Sequence, residues 1–232
     1  MLALFAAGTV VGIRRISNIR IIRLVKNSMA PELTLASGMK WHIFNSRIWS
    51  TGQDAVAVIK NQLQQLLPGV AVFLDIDDLK DTGALEKYIE CLQVILFFLS
   101  RGYFKSKNWL RQIRAALDQG KPIVLVQEAD PAKGGGTLAE LRAECPEELQ
   151  VAVFDARWKL VVWHRIHEFQ LLSLKMIAEA MLLKSPEYSL LAELSVYIPG
   201  ELKLESLSLK NPVVLHASSA NPGALALAKE LQ

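Results

Sequence analysis

The chain has 232 residues, 51% of them hydrophobic, and a formal net charge of +3. That apolar content excludes global disorder, and so small a charge excludes a general nucleic-acid footprint. The two cysteines, Cys91 and Cys145, have no CxxC partner, which excludes a disulfide framework and fits a reducing, cytoplasmic compartment.

The chain opens on an apolar run, residues 2–13, about half the length of a membrane span and without a basic region ahead of it. Basic residues follow: Arg14, Arg15, Arg20, Arg23, Lys26 and Lys40 face a single acid, Glu32, over the first forty positions. Interleaved with Ile19, Ile21, Ile22 and Leu24, they read as a cationic amphipathic segment lying on the domain or peripherally on an anionic membrane face. Residues 1–37 are therefore set aside as a leader, with Pro31, Ser37 and Gly38 marking a linker.

From Trp41 onward, short apolar runs alternate with helical patterns. HIFNS (42–46) predicts a first strand, and the loop RIWSTGQ leads into a helix from Asp54 to about Leu67, with Val56, Ile59, Leu63 and Leu66 on one face. Pro68-Gly69 stops it. A second strand, 70–74, runs into the loop DIDDLKDTG and a short helix, 84–91. A third strand, 94–99, precedes a helix over 108–117 that ends at Gly120. PIVLVQE (122–128) is a fourth strand, followed by a turn-rich loop with Gly134, Gly135 and Gly136, read as a mobile linker, and a helix over 137–145. The weaker run VAVFD (151–155) predicts the fifth strand, and a long helix over 163–183 closes the unit. Five β-α repeats in order mean a parallel sheet with helices on both faces, and the continuous Val, Ile and Phe runs fit strands buried on both sides. The domain so defined spans 38–185. Residues 186–211, where Leu alternates with polar residues, read as a connector. Residues 212–232 again read as strand, loop and helix, the start of a second α/β domain, because a lone unit of this kind cannot bury its own face.

Several patterns could carry chemistry. Asp75, Asp77 and Asp78 cluster after the second strand, where acids could hold Mg²⁺ as in a phosphoacceptor receiver. That architecture needs its acids after the first strand and an aspartate after the third, and here those positions hold Asn45-Ser46 and Leu99-Ser100. His164, His167 and Glu168 match neither zinc pattern, HExxH or HxxEH, so no metal site is assigned. The three glycines lack the lysine and hydroxyl of a phosphate loop.

In order and spacing, these segments resemble the TIR (Toll/interleukin-1 receptor/resistance protein) domain family. HIFNS resembles its first-strand box, an aromatic followed by a serine, here Ser46. FLDIDDLKDTG resembles its second box, the BB loop, with Asp75, Leu79 and Gly83 in place. FFLSRGYFKSKNWLRQI resembles the third-strand segment of plant-type members, with Ser100, Tyr103, Ser106, Leu110 and Ile113 in register; the family's tryptophan falls at Asn108, one place before Trp109. The likeness spans Trp41 to Leu183.

The resemblance implies a flavodoxin-like α/β fold, an open sheet of five parallel strands. It also implies one of two activities: association with itself or with other TIR domains through the BB loop and helix faces, or cleavage of NAD⁺ to nicotinamide and ADP-ribose products. The cleaving members use a glutamate on the helix after the third strand, and that position is Gln112 here. Glycosidic cleavage builds positive charge on the ribose, which glutamine cannot balance. The expected function is thus a signalling or scaffold module that associates with other TIR domains, without efficient catalysis and without a required cofactor. The alternative is an NAD⁺ glycohydrolase or NAD-sensing domain, using NAD⁺ as substrate or ligand. A catalytic role would then fall to another acid, Asp75, Asp77 or Glu128. Ser46, Arg47 and Trp49 are nucleotide-contact candidates, Trp49 by stacking on a base or, equally open, by simple loop packing.

Overall fold

A computed structural model of the chain describes residues 20–73, 85–156 and 158–201. Its centre is a sheet of five parallel strands: β2 (Trp41–Ser46), β3 (Val72–Phe73), β4 (Leu92–Leu99), β5 (Ile123–Glu128) and β6 (Lys159–Trp163). In space they run β3-β2-β4-β5-β6. Counted within the sheet that is the order 2-1-3-4-5 of the flavodoxin-like folds. All eight residues of β4 are buried, which is why that stretch carries no polar alternation.

The strands alternate their side chains between two cores. Val94, Leu96 and Phe98 face one side, against α1 (Trp49–Leu66) and α6 (His167–Leu182), through Val56, Ile59, Leu63, Leu174 and Ile177. Ile95, Phe97 and Leu99 face the other side, against α2 (Leu85–Glu90), α3 (Lys107–Asp118), α4 (Leu138–Glu144) and α5 (Glu147–Gln150). Thr137 caps α4 in a reciprocal box with Glu140, as a Thr-x-x-Glu pattern before a helix dictates.

In its elements and domain limits the structure differs from the expectation in three places. The first is the fifth strand, which is β6 rather than 151–155. VAVFD instead continues α5 as a five-residue π-helical turn. Val153 turns inward and Val151 stays largely exposed. The turn is held by Trp158 Nε1 donating to the Ala152 carbonyl at 2.8 Å and by Arg142 gripping both oxygens of Asp155. The run KLVVW pairs with β5 in register from Val124↔Lys159 to Glu128↔Trp163, so α6 starts at His167 and not at Trp163.

Second, α1 begins at Trp49, five residues before Asp54. Gly52 suggests a loop by propensity, yet a Cβ there would lie 3.1 Å from both Arg47 Cβ and the Phe98 ring. Glycine permits the first turn of α1 to close on β4, and packing overrides propensity.

Third, packing crosses the expected domain limits at 38 and 185. Ile22 and Leu24 are buried with Leu194, Val196 and Ile198 in the same core as α1 and α6. Here β1 (Arg23–Leu24) pairs antiparallel with β7 (Val196–Tyr197). Ile22 N–H also donates to the Leu66 carbonyl at 2.8 Å. Contacts divide the chain after Glu201, and the expected C-terminal β-α unit at 212–232 lies outside the described residues. Among the described residues no helix is long and apolar enough to cross a membrane.

Candidate functional site

In open α/β sheets ligands gather at the carboxyl ends of the strands, where the strand order reverses. Here that edge is formed by the ends of β2 and β4 and the loops after β5 and β6, and polar side chains are buried along it.

One group joins β2, the turn after β4, and α3. Ser46 ends β2, Tyr103 opens a short 3-10 turn, and Gln112 lies on α3 between Trp109, Ile113 and Ala116 on the helix's buried face. Spacing at i, i+3, i+4 and i+7 puts Gln112 at a position the pattern reserves for a core residue. Ser46 and Tyr103 are fully buried and Gln112 is 3% exposed. Ser46 Oγ donates to Gln112 Oε1 at 2.8 Å and lies 2.6 Å from the Tyr103 hydroxyl. Since the one serine proton goes to Gln112, Tyr103 is the donor to Ser46. Burial pushes the phenol well above its ordinary value, outweighing the Ser46 hydrogen bond, so the phenolic proton stays in place. The Tyr103 ring is fixed by an edge contact with Phe104 and by Trp109, nearly parallel to it at 6.4 Å. The result is a one-way chain, Tyr103 to Ser46 to Gln112, with no charge in it.

Beside it, Arg47 is buried and its guanidinium carbon stands 4.8 Å from the centre of the Trp49 ring, which is half exposed. Asn45 is fully buried, and neither its amide oxygen nor its amide nitrogen has a partner among the described residues.

A second group lies at the β5 end. Glu128 is fully buried, with Oε1 accepting from Asp130 N–H at 2.9 Å and Oε2 accepting from Arg165 at 2.6 and 3.1 Å. Arg165 reaches on to Asp54 on α1, at 3.1 Å. Burial raises the Asp54 carboxyl, but Arg165, the Ala55 amide and Lys133 together hold it below its ordinary value. Between the two groups Thr51 Oγ1 and Ser100 Oγ are 2.7 Å apart.

The triple-glycine loop, expected to be a mobile linker, is bonded into this edge. Gly135 and Gly136 donate to the carbonyls of Asp130 and Glu128, the Gly134 carbonyl accepts from Arg101 N–H, and the Gly136 carbonyl accepts from Gln127 Nε2. A Cβ on Gly135 would sit 2.6 Å from two carbonyl oxygens, and one on Gly134 would strike Thr51. The glycines serve close packing, which composition alone does not distinguish from flexibility.

Of the residues expected from sequence, Ser46, Tyr103 and Gln112 come together, and Arg47 and Trp49 pair next to them. Asp75, Asp77, Leu79 and Gly83 lie outside the described residues. His164 and His167 are separate: His164 lies against Phe169, and His167 Nε2 lies 3.2 Å from Arg20. Among the described residues no three His, Cys, Asp or Glu side chains could hold a metal ion. Asp54 and Arg165 were not singled out from sequence; the only available signal was Arg165 standing between two histidines.

No protein-family model matches the sequence, and no curated protein does. Among solved structures, the chain is similar to a metazoan TIR-STING receptor from C. gigas, whose structure is a complex with 2',3'-cGAMP. The two share 13% identity and a TM-score of 0.43, over 65% of this chain and 43% of the receptor. The chain thus spans less than half of that receptor's length. A likeness of that degree says nothing about activity.

Proposed function

We propose that this chain is a TIR-type association module that signals or scaffolds by binding other TIR domains or a second copy of itself, without efficient NAD⁺ cleavage. The observation that carries this reading is Gln112. It stands where the resemblance puts the glutamate of the cleaving members, and its amide oxygen is already taken by Ser46. A ribose cation forming there would meet a neutral hydrogen-bond chain instead of a carboxylate. Of the alternative acids Asp75, Asp77 and Glu128, only Glu128 is among the described residues; it has both oxygens engaged by Arg165 and Asp130 and is fully buried. The fold and the ordered sequence boxes support the association half of the reading.

Two measurements on the full chain test it. NAD⁺ turnover at high protein concentration is expected to be undetectable, and sedimentation is expected to show concentration-dependent self-association that Leu79→Ala or Gly83→Pro abolishes. Turnover by the native chain would overturn the reading, as would a strict monomer that binds no TIR domain. NAD sensing is a second reading, favoured by Trp49, an aromatic ring half exposed and held beside Arg47 at the carboxyl edge. NAD⁺ binding that quenches Trp49 fluorescence without turnover would select it.

A further inference from the structure

Residues 31–38 cross the amino edge of the sheet on the way to β2, far from the carboxyl-edge groups, and the seam beneath them is underbonded. His42 and Gln93 stand opposite each other on β2 and β4, between the registered pairs Trp41↔Leu92 and Ile43↔Val94. Both are nearly buried, at 5% and 6% exposure. Gln93 Oε1 accepts from Ala36 N–H at 3.0 Å, and the Leu33 carbonyl acts on the His42 ring. Thr34 therefore lies between two points where the segment touches the sheet. Thr34 Oγ1 and Gln93 Nε2 are buried with no hydrogen-bond partner among the described residues, and His42 Nε2 has only the Leu33 carbonyl, which lies outside hydrogen-bond geometry. Buried polar atoms without partners favour any state in which water reaches them.

His42 also holds the start of β3. Its Nδ1 accepts from Ala71 N–H at 3.0 Å, while its own N–H donates to the Ala71 carbonyl at 2.9 Å. An acceptor at Nδ1 requires a neutral ring with its proton on Nε2. A second proton would set two N–H donors against each other and put a charge into the seam. Only the Leu33 carbonyl favours that charge, and burial outweighs it. Glu32, on the segment, and Lys40, just after it, are exposed to solvent. On the elements packed against the ring, the Ala71 and Gln93 side carries no charge, and the Cys91 carbonyl just before β4 is occupied by the amides of Lys40 and Trp41. Lys121, at the same edge, is bonded to the carbonyls of Glu90 and Leu92.

We propose that residues 31–38 form a proton-operated strap: a proton on His42 opens the seam and releases the segment, with the start of β3, from the amino edge of the sheet. Burial lowers the ring below its ordinary 6.5, more than the Leu33 carbonyl raises it. The closed seam therefore binds the proton more weakly than the open one, and acidification from about pH 6.5 downward drives opening.

Amide hydrogen exchange on the full chain, corrected for intrinsic rates, tests this at pH 7.5 and 5.5. Protection at Ala36 and Ala71 is expected to fall several-fold, up to about tenfold, at the lower pH, while Phe97 and Val126, in the centre of the sheet, keep theirs. His42→Asn places an amide oxygen near the Nδ1 position and cannot titrate, so it should hold its protection at both pH values. Unchanged protection in the native chain, or an equal fall in the His42→Asn chain, overturns the proposal. Should that variant not fold, the native His42 ring titration followed by NMR serves instead: a shared midpoint with the loss at Ala36 and Ala71 supports the strap, and a ring still neutral when protection is lost overturns it.

Discussion

Ser46, Tyr103 and Gln112 at one end of the carboxyl edge, and Glu128, Arg165 and Asp54 at the other, bury polar groups by opposite means. The first group does it without charge. Each member is nearly or fully buried, and a single direction of donation runs from Tyr103 to Gln112. The second does it with charge: one buried carboxylate is neutralised by one guanidinium, which extends toward solvent to reach Asp54. A neutral chain loses less when a link is removed, about 1–3 kcal/mol for a buried group left without its partner. A buried ion loses much when its partner goes, because the remaining charge has no water. The neutral group occupies the position where a family resemblance leads one to look for a catalytic acid. The charged group is the one a search for acids would find, and its carboxylate is already committed to structure.

Removing the guanidinium should break this contrast most visibly. Arg165→Met leaves Glu128 charged and fully buried, and should cost roughly 3–5 kcal/mol of stability in urea denaturation. Adding Glu128→Gln should restore a large part of that loss, since it removes the stranded charge. If Arg165→Met alone is nearly neutral, Glu128 is not buried as described.

Importing charge into the neutral group should have the next largest effect. Gln112→Glu sets a carboxylate against Ser46 at a site 3% exposed, at a cost of about 1–3 kcal/mol near pH 7. Burial would raise its folded-state pKa above the unfolded value near 4.3. Its destabilisation should then be absent below that value and grow as pH rises toward the folded pKa, so the gap to the native chain narrows on acidification. Urea midpoints at pH 4 and 7 check this. The same variant sharpens the functional reading, because NAD⁺ turnover gained by Gln112→Glu would mean that only the charge is missing. Tyr103→Phe should cost less, about 1 kcal/mol, since Ser46 can still donate to Gln112.

The contrast between the two groups was only half legible in the sequence. Ser46 and Gln112 each fall within a strand or helix whose apolar pattern fixes its place, and Tyr103 lies in the loop that joins the third strand to the helix of Gln112. The ion group joins α1, the end of β5 and the loop after β6, and β6 is the strand that local pattern puts in the wrong run. VAVFD and KLVVW are both short apolar runs of similar strand propensity. What separates them is tertiary: Arg142 and Trp158 close the first into a turn, and β5 accepts the second. A strand placed eight residues early puts Arg165 in the first turn of a helix, where nothing connects it to Glu128. The triple glycine was misread for a similar reason, since its requirement for small residues comes from Thr51 and two carbonyls distant in sequence or in a folded-back loop. Ile22 and Leu24 looked like leader residues because the strand that covers them, β7, is a two-residue element with no pattern of its own.

The outermost link of the ion group should give the smallest effect. Asp54 pairs with Arg165 at 3.1 Å, but its side chain is 59% exposed, so water already solvates most of what the ion pair could supply. Asp54→Asn should therefore cost under about 1 kcal/mol, and less as salt is raised. The direction with pH also differs from that of Gln112→Glu. Asp54 is held below its ordinary carboxyl value in the folded chain, so its contribution is present above the unfolded pKa and fades as pH falls through the folded one. Native and Asp54→Asn chains should differ slightly at pH 7 and low salt, and coincide in acid or at 1 M salt. A difference as large as that of Arg165→Met would mean that Asp54, and not Glu128, sets the position of the guanidinium, and that the charged group is organised from the α1 side of the edge.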